Sequence, residues 1–284
     1  MNGLLLILII LGVCLQSVAQ KMYDRRVGGG VYSFTAATAL LAGIVHLVAS
    51  GGELHFSTEF LGYSVVSATT YCLALIFMLR AISTGSLALT SLILQYSLLI
   101  PTVYGLIALG EPIKLWLFVG IAMLMVSLVL INQEGKVEKK QITLKWGIYV
   151  LITFLCNGIG STVQKIQQIE CNGQYKSEYM VVAMALATIA LFILAVTNEK
   201  KSMVPNLKKG LPMYTLCGLA NGAVNFMVLV LALRMPASVM FPVVAAGGVV
   251  TTSLVSRFVY KEMMSTQQKI GLVLGVLAII ALNL

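Results

Sequence analysis

The sequence predicts an all-α integral membrane protein of about ten transmembrane helices, arranged as two inverted repeats of about five. Three observations predict it. The 284-residue chain is 59% hydrophobic and only 10% charged, with a mean hydropathy of +0.95, whereas soluble domains approach about 25% charged residues. Its apolar residues fall into runs of roughly 20, the length that crosses a hydrocarbon core about 30 Å thick. Matching residues also recur in the two halves at nearly constant offsets. Lipid satisfies no backbone hydrogen bond, so such runs must be helices or a closed barrel. A barrel would alternate apolar and polar residues over about ten positions. These runs are apolar on every side.

In chain order the predicted spans are Leu4 to Gln20, Val31 to Ala49, Leu61 to Leu79, Leu87 to Leu109, Ile113 to Ile131, Trp146 to Val163, Tyr179 to Thr197, Leu211 to Leu233, Ser238 to Val259 and Thr266 to Leu284. The first has small residues, Ser17 and Ala19, at cleavage-like positions, but no basic residue precedes its apolar stretch as in a secretory leader. It is expected to remain a helix of the protein. Five scattered cysteines show no metal-like spacing and read as small core hydrophobes. His46 and His55 lack a third ligand, so neither a metal nor a cofactor is expected.

The net charge of +9 is spread over short loops and forms no stripe for nucleic acid. The loops after spans one, three, five, seven and nine carry fifteen of the nineteen Lys and Arg residues. The positive-inside rule therefore puts those loops in the cytoplasm and both termini outside.

The repeat shows at both ends of each half. Ser17-Val18-Ala19-Gln20-Lys21 returns as Ser161-Thr162-Val163-Gln164-Lys165, displaced by 144 residues. Glu111, Gly120 and Asn132 return as Glu262, Gly271 and Asn283, all displaced by 151. Between them, Leu79-Arg80 matches Leu233-Arg234, and Ser86 corresponds to Ser238. The repeats are read as residues 1–132 and 145–284, joined by a polar linker over 133–144. Five helices per copy make the second enter the membrane from the opposite side, a recurrent build for secondary transporters.

These residues resemble the drug/metabolite transporter superfamily and its ten-helix EamA-type members along essentially the whole chain. The motif closing each half carries the resemblance: a Glu at a helix start, Gln six residues on and Gly nine residues on. Glu262, Gln268 and Gly271 match it fully, while the first copy has Glu111 and Gly120 but Leu117 at the Gln position. The resemblance implies a central cavity lined mainly by helices one, three, four, six, eight and nine. It also implies transport of small solutes, many by export, and in many relatives cytoplasmic termini, opposite to the charge count.

No acid lies mid-span, which argues against proton-driven antiport of drug cations and for a neutral, zwitterionic or anionic solute. The candidate substrate-binding residues are polar groups inside spans. Ser67 and Tyr71 align through the repeat with Asn221 and Asn225, each pair at i, i+4 and so on one helix face. Such groups either line a cavity or bridge helices, contributing on the order of 1 kcal/mol each. Gln95 and Tyr96 stand mid-span ahead of Pro101, which permits a kink. Asn157, Ser161 and Gln164 form a stripe ending at Lys165, and Gln20 with Lys21 repeats that end. Those lysines would draw an anionic group or snorkel to the headgroups. Gly218 and Gly222 serve close packing or a mobile gate. Glu111, followed by Pro112, is expected to cap its own helix.

No nucleophile, carboxylate pair or metal cluster points to an enzyme, so no catalytic residue is assigned. The reading is a secondary transporter or exporter of a small polar metabolite, such as an amino acid, across the cytoplasmic membrane by alternating access. A lipid-linked sugar flippase or a drug exporter of the same superfamily is the alternative. The expected partners are the solute and the bilayer, and Gly271 with Gly275 would pack either a homodimer or an internal helix pair.

Overall fold

The computed structural model describes residues 2–84, 90, 93–94, 96–112, 115–132, 143–258 and 265–282. Its helices are α1 (Asn2–Arg26), α2 (Val31–Ala49), α3 (Thr58–Thr84), α4 (Leu99–Ile107), α5 (Leu115–Asn132), α6 (Leu144–Glu170), α7 (Lys176–Asn198), α8 (Met203–Ala232), α9 (Ala237–Phe258) and α10 (Thr266–Leu282). Each predicted span meets a helix in the same order. Seven of them, α1 to α3 and α6 to α9, are long and apolar enough to cross a membrane, and α5 and α10 are shorter apolar helices. Several run past the predicted ends because a helix continues into polar residues wherever backbone pairing is still available. Thus α1 reaches Arg26 and α8 begins at Met203.

The fourth span departs from expectation. Instead of a continuous helix, a turn at Ser97 and Leu98 precedes α4, which has only nine residues. Pro101 explains the break, since it has no N–H to give the Ser97 carbonyl four residues back. That carbonyl accepts the Ile100 N–H at 3.0 Å instead. Pro101 then sits in the first turn of α4, where an N–H would have no partner within the helix. Gln95, the linker residues 133–142, Glu262 and Asn283 lie outside the described residues.

The chain divides into two compact units, Met1–Cys72 with Ile166–Leu233, and Leu73–Lys165 with Arg234–Leu284. In the first unit α1 packs along α8, and α2 packs against both α7 and α8. Gly218 and Gly222 make the α2–α8 approach possible. A Cβ on either would stand 3.0 Å from a backbone oxygen of α2, that of Thr38 or Ala42. These two glycines serve close packing. The α2–α7 pair is antiparallel: Glu199 after α7 binds Tyr32 and Ser33 at the start of α2, and Gly43 faces Met184.

In the second unit α5 packs along α10, and α9 packs against α4, α5 and α10. Here the sequence repeat becomes a reciprocal contact. A Cβ on Gly120 would meet the Leu282 backbone nitrogen at 3.1 Å, and one on Gly271 would meet the Ile131 nitrogen at 3.0 Å. Gly120 and Gly271 differ by 151 residues, and so do Ile131 and Leu282. Ser127 adds a hydrogen bond from its hydroxyl to the Gly271 carbonyl at 2.6 Å. Gly271 and Gly275 therefore pack an internal helix pair. Helices two and seven, four and nine, and five and ten pack against each other within their units.

Candidate functional site

Within the first unit, α1 and α8 face each other with polar side chains one turn apart. Gln16 and Gln20 lie on one face of α1, and Cys217, Asn221 and Asn225 on one face of α8. The Asn221 amide donates to the Gln16 side-chain oxygen at 2.9 Å. Asn225 donates to the Asn221 side-chain oxygen at 3.0 Å and to its backbone oxygen at 2.9 Å. Gln16 donates back to the Gly12 carbonyl at 3.4 Å. All three amides of this ladder are half-buried. The Cys217 thiol extends it toward the side chains of Thr38 and Gln20, and Gln20 itself is exposed. Half-buried Tyr71 on α3 lies close to Cys217.

Ser67, one turn before Tyr71, points elsewhere. Its hydroxyl bonds the hydroxyl of fully buried Tyr179 on α7. Ser64 likewise donates to the Tyr179 carbonyl at 2.9 Å. The repeat aligns Ser67 with Asn221, yet the two do different work: Ser67 ties α3 to α7, and Asn221 ties α8 to α1. His46 on α2 is fully buried beside Phe226, ring centroids 6.0 Å apart. Neither of its ring nitrogens has a hydrogen-bond partner among the described residues.

In the second unit the predicted polar residues mostly serve the backbone. Tyr96 donates its hydroxyl to the Met125 carbonyl on α5 at 2.7 Å. Asn157 on α6 donates to the Ser97 hydroxyl at 2.6 Å, bracing the break before α4. Gly158 beside it leaves room for that contact, since a Cβ there would stand 2.7 Å from the Ser97 carbonyl. Ser161 bonds the Asn157 carbonyl of its own helix at 3.1 Å, and Gln164 is half-buried one turn on.

Glu111 and Lys165 take partners distant in the chain. Glu111 caps α9: its carboxylate accepts the N–H groups of Ala237 at 2.6 Å and Ser238 at 2.8 Å. A carboxylate on two free N–H groups at a helix start also offsets the positive end of that helix. Lys165 does not snorkel. It is 5% exposed, donates to the Met235 carbonyl at 2.8 Å and stands 3.9 Å from Glu111. The carboxylate and the carbonyl offset the desolvation that burial of the ammonium costs. Sequence reasoning missed Gln16, although it lies one turn before Gln20 on the same face. It missed Glu199 too, whose oxygens accept Tyr32 N–H at 2.7 Å and Ser33 N–H at 3.0 Å. With partners 166 and 167 positions away in the chain, no local signal marked Glu199.

Helices of membrane-spanning length and polar groups buried among apolar ones define a multi-pass α-helical membrane protein. Residues 144–284 match the EamA-like transporter family, and the chain belongs to that family, part of the drug/metabolite transporter superfamily. Its members are transporters of small solutes. Among curated proteins none matches the chain. A solved crystal structure, titled only "Crystal structure of protein", is similar with a TM-score of 0.80 over 99% of this chain and 95% of that one. At 15% identity that likeness speaks for the fold alone.

Proposed function

We propose that this protein is a secondary transporter or exporter that moves a small polar metabolite, an amino acid or similar solute, across the cytoplasmic membrane by alternating access. One observation carries the choice of solute: the half-buried amide ladder of Gln16, Asn221 and Asn225 in the first unit, bordered by Gln20 and Tyr71. Amides offer both donors and acceptors. An uncharged ladder of this kind suits a neutral or zwitterionic solute better than a bare cation, which calls for an intramembrane carboxylate. Asn221, Asn225, Tyr71 and Gln20 are the residues proposed to contact solute here. Ser67 supports them by holding α3 against α7. Tyr96, Asn157, Ser161 and Gln164 belong to the second unit, where Tyr96 and Asn157 also bond neighbouring elements.

The test is a thermal-shift panel on the purified protein in detergent, using amino acids, nucleosides, sugars, phosphate esters and quaternary amines. A ligand that binds only the native state must raise Tm by linkage, by an amount equivalent to about 2.7 kcal/mol at 100 times Kd. A dose-dependent rise with one neutral or zwitterionic class, lost in Asn221→Ala and Asn225→Ala, is expected. A rise confined to quaternary amines would overturn the solute assignment. A rise that survives both substitutions would remove the ladder from the site.

A further inference from the structure

The two ends of the first unit carry opposite charge. At one end meet the close of α1, the start of α2, the loop after α7 and the start of α8. Their meeting is set by packing: Tyr23 donates to the Gly30 carbonyl at 3.2 Å and stacks on Phe34 at 4.3 Å. Gly30, in the left-handed region at φ 72°, lies against Asn206. Glu199 reaches Tyr32 and Ser33. This packing gathers Arg25, Arg26, Lys200, Lys201, Lys208 and Lys209, all exposed, at one end. The acids there are Asp24 and Glu199, and the Glu199 carboxylate is already engaged by two backbone N–H groups. No acid stands in the first turn of α8.

At the other end, where Phe60 stacks on Tyr175 and His55 N–H reaches Glu178, the balance reverses. Among the described residues of the first unit, Glu53, Glu59, Glu170 and Glu178 stand at this end with Lys176 and His55. Exposed cations crowded on neighbouring helix ends outnumber the acids there, and a phosphate placed among them relieves their mutual repulsion. A long apolar helix places its ends at headgroup depth, where anionic lipid attracts each Lys or Arg by about 1 kcal/mol, roughly a fivefold enrichment per residue.

We infer that the basic end of the first unit, Arg25, Arg26, Lys200, Lys201, Lys208 and Lys209, is a docking surface for anionic phospholipid headgroups of the surrounding leaflet. The lipid phosphates neutralise the cluster and clamp the α1–α2 and α7–α8 connections together. The inference is independent of the solute.

The experiment uses the full chain in nanodiscs of phosphatidylcholine, with and without phosphatidylglycerol replacing part of the lipid. Phosphatidylglycerol should raise Tm in the wild-type protein. The rise should shrink as added salt shortens the screening length from about 10 Å at 0.1 M to about 3 Å at 1 M. K200Q/K201Q/K208Q/K209Q should lose at least about half of the rise, while K145Q/K269Q, exposed lysines of the second unit, should keep it. Should the quadruple variant fail to fold, R26Q/K200Q/K201Q takes its place with the same expectation. An undiminished rise in either basic-end variant, or no rise in the wild-type protein, would overturn the proposal. So would a full rise in phosphatidylcholine discs on adding inorganic phosphate, which would identify a site for free anions.

Discussion

The two units share one device, since Glu199 caps the start of α2 in the first as Glu111 caps α9 in the second, but their mid-helix polar groups take different partners. In the first, mid-helix amides bond chiefly to one another across α1 and α8 and stay half-buried. In the second, polar groups are taken up by backbone: Glu111 by the start of α9, Lys165 by the Met235 carbonyl, Tyr96 by Met125. Asn157 there braces Ser97 at the break before α4. A polar group committed to an unpaired backbone group inside a membrane is structural, because leaving that group unsatisfied costs several kcal/mol. An amide bonded to another amide is exchangeable, since a solute can offer the same donors and acceptors. The first unit is therefore where solute recognition is sought, and the second is where helix irregularity is held in place.

The comparison predicts a graded set of effects. Glu111→Ala should be the most damaging, because it leaves two N–H groups of α9 uncapped and Lys165 buried without its carboxylate. Removing one partner of a buried pair costs about 3 to 5 kcal/mol, and the 3.9 Å separation argues for the lower part of that range. Thermal unfolding in detergent measures it, and a loss too small to detect would break the contrast at its strongest point. Gly158→Ala comes next. Its methyl group would collide with the Ser97 carbonyl, and overpacking of this kind costs about 1 to 3 kcal/mol. Asn157→Ala should follow at about 1 kcal/mol, read as lower Tm with solute affinity retained.

Asn221→Ala sharpens the comparison from the other side. It should lower stability little, by about 0.6 kcal/mol, the average for polar contacts between membrane helices, while abolishing the solute-dependent rise in Tm. Equal stability losses in Asn157→Ala and Asn221→Ala, both with unaltered solute response, would erase the distinction between the units. Ser161→Ala should be nearly silent, because its hydroxyl only bonds the carbonyl one turn back in its own helix.

Much of the fold was legible because lipid leaves so few options. Runs of apolar residues had to be helices, and their number and order could be counted directly. The repeat was legible as well, and Gly120 with Gly271 shows why: close backbone approach at both symmetric contacts demands glycine at both positions. The broken fourth span was legible only in part. Pro101 announced an irregularity, but whether the helix bends or restarts depends on who takes the freed Ser97 carbonyl and who braces the Ser97 hydroxyl.

By itself, then, the sequence determined the membrane class, the helix count and order, the basic and acidic loops and the offset relating the halves. Each of these follows from composition or spacing, which act locally along the chain. Only the tertiary structure decided which partner each polar group takes. Glu111 caps α9 from 126 residues away, Lys165 turns inward, Ser67 and Asn221 part company despite their alignment, and Gln16 completes the amide ladder. The reason is physical: a hydrogen bond acts within about 3 Å, and which groups come that close is fixed by helix packing over more than a hundred residues of chain.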